Sequence, residues 1–183
     1  LGEMEISNDC YYGIQTHRML KVSGIAKMPI VFYPEIFRAL AQIKKACAQA
    51  NAEVGAIKPE IAKAIARACD MTMDGSFDNQ FPLDMWQGGG YTCLNMNVNE
   101  VLGNIANELL TGHKGQETVH PNTHVNMGQS TNDTIPSATH LACVPMVDKI
   151  ISGVEELARS FEVKANEFSD VVKVGRTLSL IHI

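Results

Sequence analysis

The stretch His120-Pro121-Asn122-Thr123-His124-Val125-Asn126-Met127-Gly128-Gln129-Ser130-Thr131-Asn132-Asp133 gathers imidazoles, amides and hydroxyls directly before the longest helical pattern in the chain. Ser130, Thr131, Asn132 and Asp133 are all good helix N-cap formers. Whichever takes the cap, backbone N–H groups and the positive end of a helix dipole stand beside two hydroxyls. Such a corner receives an anion without Lys or Arg. Beyond it, Val147, Ile150, Ile151, Val154, Leu157, Ala158, Phe161, Ala165 and Phe168 keep the helical period, which predicts one long helix. Pro145 falls inside that helix and is expected to kink or break it, because proline removes a backbone donor. A stripe of this width needs partner helices, and the chain holds few candidates for them. A truncated bundle or an oligomer is the expected consequence.

Working back from the quoted stretch, Gln87-Gly88-Gly89-Gly90-Tyr91-Thr92 is a second corner of the same kind, where glycines let backbone approach a ligand closely. Two anion corners suit a dianion. The helix expected next carries Leu94, Val98, Val101, Leu102, Ile105 and Leu109 on its apolar stripe and stops at Gly112. Asn95, Asn97 and Asn99 are its polar complement, either a solvated face or a set of local hydrogen bonds. Residues 113–129 read as a loop. His120 and His124 have no Cys or acidic ligand at metal-binding spacing, so no metal site is expected there.

Toward the N-terminus the patterning weakens, and residues 1–33 predict little. Pro34 stands where a first helical residue would, and Ile36, Leu40, Ile43, Cys47, Ala50 and Val54 step along one face up to Gly55. Pro59 opens a second helix with Ile61, Ile65 and Ala68 facing inward and Gly75 ending it. The pair reads as a helical hairpin. Phe81-Pro82-Leu83-Asp84-Met85-Trp86 is too short and too proline-broken for a helix, so an extended connector is expected, with Trp86 in the core.

With 183 residues, 45% of them hydrophobic and 19% charged, the chain is long enough to bury a sizeable core. A net charge of -5 without a basic run gives no footprint for nucleic acid and no signal for a membrane surface. The five cysteines are widely spaced and never form Cys-x-x-Cys, which argues against a disulfide framework or a zinc site and for a reducing, cytoplasmic setting. No glycine pattern fits a P-loop, a dinucleotide fingerprint or a nucleophile elbow. Residues 178–183 neither continue nor cap the preceding pattern and are expected to be a non-native tail.

Three words of the sequence together resemble the aspartase/fumarase family of lyases: Gly88 to Glu100 with its Asn-Met-Asn-Val-Asn-Glu ending, His120 to Asp133, and Gly175-Arg176-Thr177. The resemblance runs from Tyr11-Tyr12-Gly13 to Thr177. It implies a mainly α fold, with a helical N-terminal domain over residues 1–131 and the start of a central long-helix bundle over 132–177. It implies substrate contacts at Thr92, Ser130, Thr131, Asn132 and Thr177, and a secondary anion site at His120 and Asn122, where Thr123 departs from the family's usual Asp. The implied substrate is a small dicarboxylate, with no cofactor and no metal, in a homotetramer. The serine base of the family's anti elimination would lie beyond residue 183, so the chain holds half a pocket. Ser-Thr-Asn-Asp and Gln-Gly-Gly look more like the branch that releases ammonia from L-aspartate, with the fumarate hydratases as the alternative. A helical binding protein without the chemistry is the reading from a different class.

Overall fold

The computed structural model describes residues 3–173, and Thr177 with the rest of its Gly-Arg-Thr word lies outside them. Helices dominate, and the β-structure among the described residues is an isolated antiparallel bridge between Pro29 and Asp84. The chain divides into two compact units, one ending at Cys143 and the other beginning at Val144.

In the first unit, α1 spans Ile14–Val22, α2 Pro34–Glu53, α3 Pro59–Met73 and α4 Thr92–Thr111. Prolines open α2 and α3 as expected, because the first helical N–H has no intrahelical acceptor to lose. α2 lies along α3, α3 packs on α4, and α1 crosses α4. The core between them is built from Phe37, Leu40, Ile65, Ala68, Leu94, Val98, Leu102 and Ile105, all essentially without solvent contact. Phe37 and Phe81 stack with ring centroids 4.0 Å apart and fix the connector after α3. That connector is extended, as the proline pattern predicts, and pairs through Ile30 N–H to Leu83 O at 2.8 Å and Met85 N–H to Met28 O at 2.7 Å.

Three expectations are corrected here. The buried face of α2 is Phe37, Leu40, Ala41, Lys44 and Ala48, about one residue around from the stripe through Ile43 and Cys47, because the bulkier Phe37 takes the core. Trp86 is 66% exposed, since Asp84 turns the connector outward by accepting from Trp86 N–H at 2.9 Å. The 113–129 loop contains a π-helical turn, Pro121–Val125, which begins after His120.

α5 runs over Thr131–Glu167, so of the kink or break expected at Pro145 the break does not occur. The first part of α5 buries Thr134, Ala138 and Ala142. In the second unit, Val147, Ile150, Val154, Leu157 and Phe161 are each about half exposed or more.

Candidate functional site

The residue that caps α5 is Ser130. Its Oγ accepts from Asn132 N–H at 3.2 Å, and its own N–H donates to Asp133 Oδ1 at 3.2 Å, a reciprocal capping box. With Ser130 Oγ accepting here, its rotatable hydroxyl hydrogen remains free to donate to another acceptor. Thr131 follows the same logic: its Oγ1 accepts from Asn95 Nδ2 at 3.3 Å, which turns its hydroxyl hydrogen toward a further acceptor. Ser130 and the Asn132 side chain are exposed, and Thr131 is half-buried.

The glycine corner lies one helical turn from Asn95. Gly89 and Gly90 both adopt left-handed φ, +65° and +63°, which other residues rarely hold, and Tyr91 follows at +62° as the residue before α4. No side chain caps this helix start, and Thr92 Oγ1 donates back to Gly89 O at 2.8 Å. Thr92 and Asn95 are three apart on one face of α4. Asn95, one turn into α4, donates to Thr131 Oγ1 at 3.3 Å and so links the first turn of α4 to the start of α5.

Asn95 belongs to a polar cluster in which the residue patterns had singled out the asparagines of α4 but not Lys44. Asn126 Oδ1 accepts from Lys44 Nζ, Asn95 Nδ2 and Asn99 Nδ2, each at 3.2 Å. Its Nδ2 donates to Gln129 O at 3.1 Å. Lys44 Nζ also donates to Gln129 Oε1 at 3.0 Å, and Gln129 Nε2 donates to Val125 O at 2.8 Å. Lys44 has no solvent exposure. Burial pushes its ammonium down to about 8, opposed by electrostatic attraction to the neighbouring Cys69, Cys47 and Asp133. One signal in the sequence pointed to it: a lysine at the spacing of Phe37, Leu40 and Ala48, on what is otherwise an apolar face.

The asparagine ladder of α4 is buried rather than solvated, and its hydrogen bonds are mostly tertiary rather than local, so neither expectation for that face describes it: Asn95 and Asn99 donate to Asn126 across the fold. Asn97 Nδ2 donates to Gln80 O at 3.1 Å. Asn107 Nδ2 donates to Gly115 O and Val119 O at 2.7 Å and holds the loop leading to His120. Glu100, the last residue of the Asn-Met-Asn-Val-Asn-Glu word, is buried and accepts from Gly13, Gln15 and Thr16 N–H and from Thr16 Oγ1, at 2.7–3.1 Å. It is the N-terminal cap of α1, supplied from α4.

His120 Nδ1 accepts from Asn122 and Thr123 N–H at 3.2 Å and starts the π-helical turn. His124 Nδ1 accepts from His120 N–H at 2.9 Å, and its imidazole is held below its ordinary pKa by burial and by the neighbouring His120. Both rings therefore turn Nδ1 inward, and the Asn122 side chain is exposed. Among the described residues no group of three or more His, Cys, Asp or Glu is placed to hold a metal ion, and no helix is long and apolar enough to cross a membrane.

A lyase family model matches residues 2–179. Aspartate ammonia-lyase of Helicobacter pylori strain J99 is 44% identical over 178 residues, covering 97% of this chain and 38% of its own length. Fumarate hydratase class II of Halobacterium salinarum is 46% identical over 181 residues, with 97% and 37% covered. Among solved structures, a fumarate lyase:delta crystallin protein of Brucella melitensis superposes with a TM-score of 0.91 at 41% identity, covering 97% of this chain and 41% of that one. Recombinant class II fumarase of Schistosoma mansoni gives 0.85 at 39% identity. The chain spans about two fifths of the length of these relatives. On the family model, these relatives and its helical fold, the chain belongs to the aspartase/fumarase family of lyases and corresponds to its N-terminal part.

Proposed function

We propose that the two corners adjoin and together bind one carboxylate of a small dicarboxylate, and that the full-length protein is an aspartate ammonia-lyase. The observation that carries the first step is the polarity of the hydroxyls. Ser130 and Thr131 each use their oxygen to accept an N–H, leaving two O–H donors for an anion at the start of α5. Thr92, whose hydroxyl donates to Gly89 O until a carboxylate replaces that acceptor, completes the carboxylate site, Asn132 contacts the substrate near its leaving group, and Thr177 adds a contact from outside the described residues. His120 and Asn122 form a secondary anion site.

In the proposed reaction, a base from beyond residue 183 takes the proton on the carbon beside the bound carboxylate. The electron pair passes into that carboxylate as an aci-carboxylate, then forms the carbon–carbon double bond as the C–N bond breaks. Nitrogen departs with its electrons as ammonia. Donors aimed at the carboxylate that gains charge stabilise this intermediate more than the ground state, which accelerates the step. No cofactor or metal is needed for this route. Residues 1–131 form the N-terminal domain, and 132–177 begin a helical bundle completed in a cytoplasmic homotetramer.

The second reading is fumarate hydratase class II, favoured by the 46% identity to the Halobacterium salinarum protein. Ser-Thr-Asn-Asp at 130–133 is the residue pattern that favours the ammonia-lyase. The test is ultraviolet detection of fumarate made by the full-length protein from L-aspartate and, separately, from L-malate. Fumarate from aspartate alone supports the proposal. Fumarate from malate alone replaces it with the hydratase, and fumarate from neither leaves a dicarboxylate-binding protein without this chemistry.

A further inference from the structure

Lys44 is the least expected side chain in the first unit: a lysine with no solvent exposure, on the core face of α2 between Ala41 and Ala48. It lies on the buried face of α2, the helix that packs on α3. Its ammonium meets two neutral amides, Asn126 Oδ1 at 3.2 Å and Gln129 Oε1 at 3.0 Å. No salt bridge closes on it among the described residues. A buried cation held only by neutral acceptors is an expensive arrangement, and mutation to an apolar residue would be the simpler way to fill that space.

The geometry gives this charge a task. From Lys44 Nζ the hydrogen bonds run to Asn126 Oδ1, from there to Asn95 Nδ2, and from Asn95 to Thr131 Oγ1, the hydroxyl proposed to receive a carboxylate. A second arm passes through Gln129, the residue before Ser130. The ammonium therefore lies two side chains from the anion corner, buried, where water screens it little. Resting on the dicarboxylate reading above, we propose that Lys44 is a positioning residue of the substrate site: it orients Asn126 and Gln129 beneath the Ser130–Thr131 turn and supplies the fixed positive charge whose counterion is the bound carboxylate.

A proton linkage follows. In the free protein burial holds the ammonium down to about 8. An anion at the corner favours the charged form, so binding takes up a proton where free Lys44 is partly neutral. Affinity is full below that pH and falls as pH rises above it. The other titratable groups facing the ammonium are Cys47 on α2, Cys69 on α3 and Asp133 in the first turn of α5. Burial pushes the Cys69 thiol up to about 12 and raises Cys47, while Cys47→Ala serves as the control for the thiol on the same helix.

The experiment is calorimetric titration of fumarate, which has no group titrating in this range, into the full-length protein between pH 7 and pH 9.5. Wild type and Cys47→Ala should lose affinity by roughly ten-fold across that range. Lys44→Met should bind roughly ten-fold more weakly at pH 7 and show no such loss. Lys44→Arg should keep the affinity at pH 7 and also lose the pH dependence, because its charge does not titrate. Where a variant does not fold, proton uptake measured in two buffers of different ionisation heat reads the linkage in wild type itself. Fumarate binding that is equal in wild type and Lys44→Met, or free of proton uptake near pH 8, overturns the role of Lys44 and leaves the dicarboxylate site standing. Absence of fumarate binding to wild type overturns the site, and Lys44's role with it.

Discussion

Asn95 Nδ2 stands 3.2 Å from Asn126 Oδ1 and 3.3 Å from Thr131 Oγ1, so one buried amide joins the first turn of α4 to the first turn of α5. Because Thr131 Oγ1 accepts in that bond, its hydroxyl hydrogen is available to a different acceptor. The opposite end of the same amide, Oδ1, is buried without a partner.

Asn95→Ala is therefore expected to separate function from stability. Removing the amide frees Thr131 Oγ1 to rotate and weakens carboxylate binding by about 1–2 kcal/mol, read as a five- to thirty-fold rise in the fumarate dissociation constant. Stability changes by less than about 1 kcal/mol, because the lost hydrogen bonds are offset by removal of an unpaired buried acceptor. Calorimetry and urea unfolding on the same variant check both halves. A large stability loss with unchanged affinity would make Asn95 a purely structural residue.

Glu100 makes the opposite prediction. Its carboxylate accepts four hydrogen bonds from the start of α1, and a Cβ on Gly13 would stand 2.7 Å from Oε1. Glu100→Gln replaces an acceptor by a donor facing backbone N–H groups and should cost about 2–3 kcal/mol in urea unfolding. Gly13→Ala should destabilise as well, by displacing the same carboxylate. Hydrogen exchange of the α1 amides should accelerate in both variants more than that of α3 amides.

Much of this was legible beforehand. Proline at the first helical position marked the starts of α2 and α3, and an apolar stripe ending at Gly112 marked α4, because proline and glycine act through local backbone geometry. The anion corner was visible as four cap-forming residues before an apolar period. What could not be read was which of the four caps, since that depends on Asp133 reaching back to Ser130 N–H. Lys44, Asn126 and Asn95 lie far apart in the chain, and only tertiary packing brings their polar ends together. Trp86 was misplaced because a local bond to Asp84 outweighed the apolar character of its ring. The α2 stripe rotated because two faces of that helix carry similar apolar content, and packing against Phe81 chose between them.

The second unit carries its own prediction. Val147, Ile150, Val154, Leu157 and Phe161 alternate three and four residues apart on α5 and are 47–67% exposed. That spacing makes the seam of a helical bundle. The 183-residue chain should accordingly self-associate in sedimentation velocity as concentration rises. Val154→Asp with Phe161→Asp should shift it toward monomer, because two charges on the seam cannot be buried without partners. Monomeric wild type across the micromolar range would show that exposure of this face alone does not drive association.

The last prediction concerns the stability cost of Lys44. Its folded value of about 8 lies below the ordinary lysine value of 10.5, so the unfolded chain holds its proton more tightly than the folded one. The sign follows directly: the contribution to stability is least below pH 8, rises with pH as the folded lysine loses its proton, and is complete above 10.5. The full span is of the order of 3 kcal/mol. Cys69, pushed up to about 12 by burial, works in the opposite direction as unfolded thiols ionise around pH 9 and above. Between pH 8 and pH 9 the lysine dominates. Urea midpoints of wild type should therefore rise relative to those of Lys44→Met across this interval, and saturating fumarate should flatten the difference by restoring the charge. A parallel pH dependence in the two proteins would mean that the buried ammonium is not what titrates.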